Sequence, residues 1–423
     1  MHARNEKFSM LTSAVLFYQF FAIRAENERL GEPSEYCGGG LLPSYPEPED
    51  DSMIVSVHTF FRHGTRAEYR RTTCFPNDAY TSYTSSLQSQ FEITGISKDM
   101  TGGRSLTKRY RRGFQVGELL DNAQIQMKML AKYLREAYPR QYSVDNLEKL
   151  YLRSTDIQRT LGSLDLLLSN IAPGSSLVVE TDDFDYDSLN LNCQSCSRAV
   201  HILNSFPSSP AYQSLMSGEQ FKKCAEAWNS EIGTPFDITQ AHDCLVTPAC
   251  ADVPLPLGIT PSALLVRCVT DIAREIRTLR YASPDGVEFC QLATAPFIED
   301  LIKLSERRIS GLWATHDDTL VCILSSSGLW DGVWPSYASF ISFETFADNR
   351  VRVLQDGFEI GWLNKISYLL RPDIQVPDGY MRACASSDDE VKIKIEEAPN
   401  WSVSSVMGRA AGVIGLVGLV AYL

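Results

Sequence analysis

The chain has 423 residues, 44% of them hydrophobic, and a formal net charge of −13. That length exceeds an ordinary single domain and can bury a large core, so two lobes, or one lobe carrying an insertion, are expected. The acidic balance excludes general affinity for nucleic acid, which needs a basic surface, and leaves room for one local positive pocket.

Residues 1–25 carry a short basic start and an apolar stretch, Phe8 to Ile23, and read as a secretory signal peptide cleaved near Ala25. An uncleaved anchor is the alternative. A Gly- and Pro-rich lead-in fills 26–52. Ile54 to Phe61 is dense in β-branched and aromatic residues and predicts a buried strand, opening an α/β domain whose first part spans 53–174. Directly after it comes "RHGTR", with His63 set between Arg62 and Arg66. The polar stretch to about residue 104 reads as loops. "NAQIQMKMLAKYLREAYP" spaces Ile125, Leu130, Tyr133 and Leu134 along one helical face and stops at Pro139. "LEKLYLRS" is a strand to about Leu152, with Arg153 at its end. A helix follows, with Thr155 and Gln158 in a capping-box relation.

Seven of the eleven cysteines lie between Cys193 and Cys290. Residues 175–286 read as a smaller, mainly helical, Cys-rich lobe inserted into the α/β domain, with Leu264, Leu265, Cys268, Ile272, Ile276 and Leu279 on one helix face. Disulfides suit a secreted chain. Cys193, Cys196 and His201 admit a partial zinc site as the rival to disulfide use, and Cys322, inside an apolar run, is the candidate free thiol. The second α/β part, 287–384, contains "GLWATHDDTL", a strand through Leu312 to Ala314 that gives way to a helix capped by Thr315 with Asp318. His316 and Asp317 sit at that junction.

Residues 385–423 form a charged tether and an apolar tail. Ala410 to Leu423 would rise only about 21 Å as a helix, short of the ~30 Å hydrocarbon core. The small residues and short spacer upstream fit membrane attachment through a lipid-anchor signal; a tail packed on the fold is the alternative. The one glycosylation sequon begins at Asn400.

Three junctions thus carry Arg62, His63 and Arg66, then Arg153, then His316 and Asp317. In an open α/β sheet ligands sit beyond the carboxyl ends of the strands, which would gather these distant segments into one pocket. Taken singly, each has a plain structural reading: surface ion pairs for the arginines, favourable charge in a helix's first turn for Asp317 and Asp318. Together they match a phosphate monoester. Guanidinium forks fit a phosphate dianion and hold its charge during transfer. The same positive field disfavours protonation of His63, so its ring stays nucleophilic in acid and can form a phosphohistidine. Asp317 is the candidate proton donor and His316 a further phosphate hydrogen-bond donor. Arginines also lower a carboxylate's pKa, which points to an acidic optimum. No metal-ligand cluster and no cofactor motif stand out. His58 reads as structural; His2, His201 and His242 lack a recommending context.

"RHGTR" at 62–66 and "HD" at 316–317, with "LRSTDIQRTLGS", "LTKRYRRGFQVGELL" and "GLWDGVWPSYASFISFE", resemble the histidine acid phosphatases, the branch of the histidine phosphatase superfamily that includes acid phosphatases and phytases. The likeness runs from about residue 53 to 384. It implies a phosphoglycerate-mutase-like fold: a central mixed, mostly parallel sheet flanked by helices, with a smaller helical part. It also implies His63 as the phosphorylated nucleophile, Asp317 as proton donor, and Arg62, Arg66, Arg153 and His316 as phosphate ligands. The chain departs from the pattern at Glu68, where proline is usual, in the longer spacing of "LTKRYRRGFQ", and at Asp318, where a small hydroxyl or amide residue is common. A phytase or inositol-polyphosphate phosphatase, a mutase-type transferase of the other branch, and a catalytically idle phospho-ligand binder are the rival readings.

Overall fold

A computed structural model describes residues 36–38, 42–48, 53–69, 74–78, 81, 83, 93–97, 105–106, 117–172 and 177–385. The signal sequence, the sequon at Asn400, the C-terminal tail and most of "LTKRYRRGFQ" lie outside the described residues.

One sheet is built from β1 (Ile54–Arg62), β2 (Ile93–Ser97), β3 (Ser105–Leu106), β4 (Tyr151–Ser154), β5 (Leu177–Thr181), β6 (Gly311–Thr315), β7 (Phe340–Phe346), β8 (Val351–Gln355) and β9 (Phe358–Leu363). Their order is β3-β2-β5-β4-β6-β1-β7-β8-β9. β2, β5, β4, β6 and β1 run parallel, while β3 at one edge and β7 to β9 at the other pair antiparallel. β2 falls in the stretch expected to be loops, and β5 in the span expected to be the inserted lobe. The run Ile54–Phe61 is rich in β-branched and aromatic residues, and its polar members Ser56, His58 and Thr59 are fully buried, because β1 is central and covered on both sides. Successive side chains alternate across a strand. Val57 and Phe61 join one core with Leu312 and Ala314, while Phe60 joins another with Trp313, its ring stacked on that indole at 4.9 Å.

Helices α1 (Asp121–Ala137) and α2 (Gln158–Ile171) cover the Val57 face. The helices that follow are α3 (Ser197–Ser205), α4 (Pro210–Ser217), α5 (Glu219–Glu231), α6 (Ile238–Cys250), α7 (Ala263–Ala282), α8 (Pro284–Glu306), α9 (Asp317–Ser326) and α10 (Gly379–Cys384). α3, α8 and α9 pack on the Phe60 face. α5 to α7 surround a separate core built on Trp228, Ile272 and Ile276, which Cys74 and Phe75 also enter. Part of the span 175–286, β5, thus belongs to the sheet, and the separate core also draws on the segment after "RHGTR". Ile125 and Leu264, expected on buried faces, are 62% and 78% exposed. Neither predicted capping box forms. α2 starts one residue after Ile157 and α9 after His316, with no side-chain cap on either, because the Thr155 and Thr315 hydroxyls bond elsewhere in the fold.

Five disulfides use ten of the eleven cysteines: Cys37–Cys250, Cys74–Cys244, Cys196–Cys384, Cys224–Cys268 and Cys290–Cys322. Cys322 is thus bonded, correcting its expected role as the free thiol. Cys193 is the free one, buried, with burial pushing its thiol up to about 12 and leaving it inert. With Cys196 committed to Cys384, the partial zinc reading fails, and no metal-holding group of His, Cys, Asp and Glu occurs among the described residues.

Under the antiparallel edge, Glu344 and Arg352 face each other across β7 and β8, with side chains 0% and 2% exposed. Arg352 Nε donates to Glu344 Oε2 at 2.5 Å, and the Tyr138 and Tyr45 hydroxyls donate to Oε1 at 2.7 and 3.0 Å. Arg352 also donates to the Pro46 carbonyl at 2.8 Å, which ties the lead-in to the sheet. Glu344→Ala strands a buried guanidinium. It is expected to lower unfolding free energy by about 3–5 kcal/mol in urea melts, against roughly 1 kcal/mol for an exposed pair.

Candidate active site

The parallel strands β1, β4 and β6 deliver their carboxyl ends to one cavity, lined in part by His63, Arg66, Arg159, Asp243, Arg277, His316, Asp317 and Asp318. β1 and β6 are direct neighbours, and Arg62 pairs in register with Thr315. Hence His63 and His316, far apart in sequence, follow adjacent strands, and their rings stand 5.5 Å apart edge to face. The chain after β1 is pinned on both sides: His63 N–H donates to the Thr315 carbonyl, and Ala338 N–H donates to the His63 carbonyl. Gly64 is needed next because α1 crosses there; a Cβ on it would lie 2.5 Å from Ala123 Cβ.

His63 is 2% exposed. Its Nδ1 lies 2.9 Å from the Gly64 carbonyl oxygen, which can only accept, so Nδ1 carries the proton and Nε2 keeps its lone pair. Burial, then Arg159, Arg62, His316 and Arg66, hold its pKa well below 6.5. The ring is neutral well into the acid range, as the sequence led us to expect.

Arg66 makes a two-pronged pair with Asp243, 3.0 and 3.3 Å, and Asp243 also accepts from Tyr69 N–H at 2.7 Å and from the Thr247 hydroxyl. Asp243 comes from α6 of the helical lobe. Arg62 is fully buried behind the cavity wall, clamped between the rings of Tyr36 and Tyr337, with Cζ 4.5 and 4.1 Å from their centroids. It donates to the Pro335 carbonyl and the Tyr36 hydroxyl and pairs with Asp317 at 2.9 Å. Arg62 therefore presents no open fork to the cavity.

Arg153, expected to bind phosphate, is not among the residues that line the cavity. It lies within β4, in register with Trp313, and its guanidinium pairs with Asp187 at 2.7 Å and with Asp182. The arginine that does reach the cavity is Arg159, in the first turn of α2. It donates from Nη2 to His316 Nδ1 at 3.3 Å, and its Cζ lies 5.0 Å from the Tyr69 ring centroid. It has no carboxylate within ion-pair distance among the described residues, and its Nε has no partner. His316 accepts from Arg159 on Nδ1, which leaves Nε2–H to donate to the Thr155 hydroxyl at 3.0 Å. Expected as a phosphate donor, His316 has both ring nitrogens engaged within the protein, by Arg159 and Thr155.

Asp317 receives four donors. Its Oδ2 accepts from Arg62, from Trp334 Nε1 at 2.9 Å and from the Tyr36 hydroxyl at 3.2 Å; its Oδ1 accepts from Asp318 N–H. Burial pushes its pKa up, but Arg62, the Trp334 bond and Arg277 outweigh it and hold the carboxyl below its ordinary range. Burial and Asp317 together push Asp318 up to about 7. Glu68, the other departure from the family pattern, turns away from the cavity and accepts from the Thr81 and Tyr83 hydroxyls, so it does not shape the rim. His58 is structural as expected: buried, it accepts from Trp313 Nε1, and burial lowers its pKa to about 3.

Sequence reasoning missed Arg159, Asp243, Arg277 and His242, which close the cavity from α2, α6 and α7. Arg277 donates to His242 Nδ1 at 3.3 Å and lies 4.4 Å from the Trp334 ring centroid.

No protein-family model matches the chain. Over 364 residues it is 25% identical to the testicular acid phosphatase of Mus musculus, covering 80% of this chain and 77% of that protein. It is 27% identical over 331 residues to the testicular acid phosphatase of Homo sapiens, covering 72% and 70%. Human lysophosphatidic acid phosphatase type 6 matches at 23% over 334 residues, covering 71% and 76%. Among solved structures, the Hafnia alvei phytase in its apo form superposes with a TM-score of 0.54 at 12% identity, covering 78% of this chain and 100% of that one, which shows a shared fold. With "RHGTR" and the His-Asp pair at the mouths of adjacent strands of that fold, and acid phosphatases aligned along most of its length, the chain resembles the histidine acid phosphatases.

Proposed function

We propose that this cavity hydrolyses small phosphate monoesters in two in-line steps through a phosphohistidine at His63. Nε2 attacks phosphorus and the alcohol leaves; water then releases inorganic phosphate. The observation that carries the reading is the state of His63, a neutral ring among arginines with Nδ1 committed to Gly64 and Nε2 unprotonated. Arg159 and Arg66 hold the equatorial oxygens, and Arg62 adds its field from behind. The leaving oxygen takes its proton from the carboxyl pair that opens α9. Asp317 and Asp243, both held ionised, add negative charge to the cavity walls, which favours a singly phosphorylated ester over a polyphosphate.

The test is chemical trapping. A radiolabelled phosphomonoester turned over at mildly acidic pH and quenched in alkali is expected to leave acid-labile, alkali-stable label on His63. Turnover with no such label at any quench time would overturn the covalent route.

Five disulfides suit an oxidising compartment, and no helix among the described residues is long and apolar enough to cross a membrane. Entry through the signal sequence and attachment through a lipid that replaces the tail complete the proposal. Phospholipase treatment of intact cells is expected to release the protein; retention on the cells would rule the lipid out.

A further inference from the structure

A second cavity, of about 310 Å³, opens among the helices and shares no lining residue with the one that holds His63. Its volume falls in the range of small-molecule sites. The end of α3 and the turn after it, the start of α4, the end of α7 and the start of α8 form its walls. Ile202, Leu203, Phe206, Leu279 and Phe289 make the lining largely apolar.

One buried charge stands in this wall. Arg280 is 6% exposed, and its Nε and Nη1 have no hydrogen-bond partner among the described residues. No described carboxylate pairs with it within 4 Å. Its Cζ lies 5.4 Å from the Tyr281 ring centroid, which offers a π face and no full negative charge. The guanidinium's field reaches Tyr212 on α4, beside the lining residues Pro210 and Ala211, and so crosses the cavity from α7. It also reaches Asp318, beyond ion-pair distance. A cation that is buried without a bonded anion carries a desolvation cost that nothing in the wall offsets. Asp285, the acidic residue of the lining, is exposed, where water screens it.

We propose that this cavity binds a small amphipathic anion, an alkyl chain with a carboxylate head, and that Arg280 receives the head. The chain lies against Ile202, Leu203, Phe206 and Phe289. Both halves of the guest are required by the walls. An apolar guest would leave the guanidinium unpaired, and a small hydrophilic anion would leave the apolar lining uncovered. A fatty acid satisfies both, with the charge-assisted bonds to its head formed out of water, where they are strong. The site is separate from the phosphate chemistry and does not depend on it.

Calorimetric titration of the whole protein with sodium decanoate, below its micellar range, tests this. Decan-1-ol supplies the tail alone and acetate the head alone. Decanoate is expected to bind at one site, about tenfold or more tighter than decanol, with acetate giving no measurable heat. Arg280→Met is expected to weaken decanoate by about tenfold or more and to leave decanol unchanged. Its melting temperature should equal or exceed the parent's, because a stranded charge is replaced by an apolar side chain. Ala211→Trp, which fills the cavity mouth from α4, is expected to weaken both guests. Saturating inorganic phosphate is expected to leave decanoate binding intact. Decanol binding as tightly as decanoate, decanoate affinity that survives Arg280→Met, or displacement by phosphate would overturn the assignment. So would an Arg280→Met protein that melts well below the parent, since the guanidinium would then already have its partner.

Discussion

His63→Ala is expected to reduce phosphomonoester hydrolysis by about 10⁴-fold or more and to abolish labelled phosphoenzyme, with the fold retained. The size follows from what the imidazole does. Without it water must attack the bound ester directly, and the two-step route has no first step. What survives is the charge of Arg66 and Arg159, enough to bind phosphate and not enough to displace the alcohol. The fold survives because the ring's contacts are few: an edge on His316, a tilted approach to Tyr337 and one bond to the adjacent Gly64 carbonyl. Inhibition by inorganic phosphate, retained in the variant, would confirm an intact cavity. The parent's pH profile carries the same signature. Because burial and arginines depress His63 well below 6.5, protonation of the nucleophile switches activity off only far into acid. A parent that loses activity as pH falls through 6.5 would contradict that field, and a His63→Ala protein within tenfold of the parent would refute the nucleophile.

How much of this was legible depended on which interactions are local. β1 announced itself because a strand covered on both faces is dense in β-branched and aromatic residues, and the charged residues that follow such a run lie at the sheet's carboxyl edge. That alone placed Arg62, His63 and Arg66 beside His316 and Asp317. β3 at the edge has only two residues and its neighbour β2 lies in a polar stretch, so no periodicity marked them. The capping boxes failed for a physical reason: the Thr155 hydroxyl serves His316, a contact 161 residues away in sequence that no local pattern records. Disulfide pairing is equally non-local, which is why Cys322 in its apolar run looked free while Cys193 is. Asp243 and Arg277 reach the cavity from helices of the lobe, and only the folded chain shows that the lobe leans over the sheet's carboxyl edge.

The exchange of Arg153 for Arg159 yields the second large prediction, because the two arginines sit in one short segment and are expected to fail in opposite ways. Reading the strand as ending near Leu152 put Arg153 at the junction. β4 in fact continues to Ser154, so Arg153 is still a strand residue, turned to the Trp313 side, where Asp187 and Asp182 take its guanidinium. The first turn of α2 then presents Arg159 to the cavity, where it meets His316 and no carboxylate. Arg159→Ala is expected to cut kcat/KM by about 10²–10³-fold with little change in stability, since a positive group aimed at the equatorial oxygens is lost from a water-poor site. Arg153→Ala is expected to leave kcat per folded molecule near that of the parent. It should cost about 3–5 kcal/mol of stability above neutral pH, because Asp187, 1% exposed, loses its buried partner. Burial already raises Asp187 to about 7 in spite of Arg153, so in acid the carboxyl is protonated, asks less of the arginine, and the stability loss shrinks. Urea melts at both pH values, read beside steady-state kinetics, separate the two roles. Arg153→Ala with a hundredfold kinetic defect and parental stability would return the phosphate to Arg153 and remove Arg159 from the mechanism.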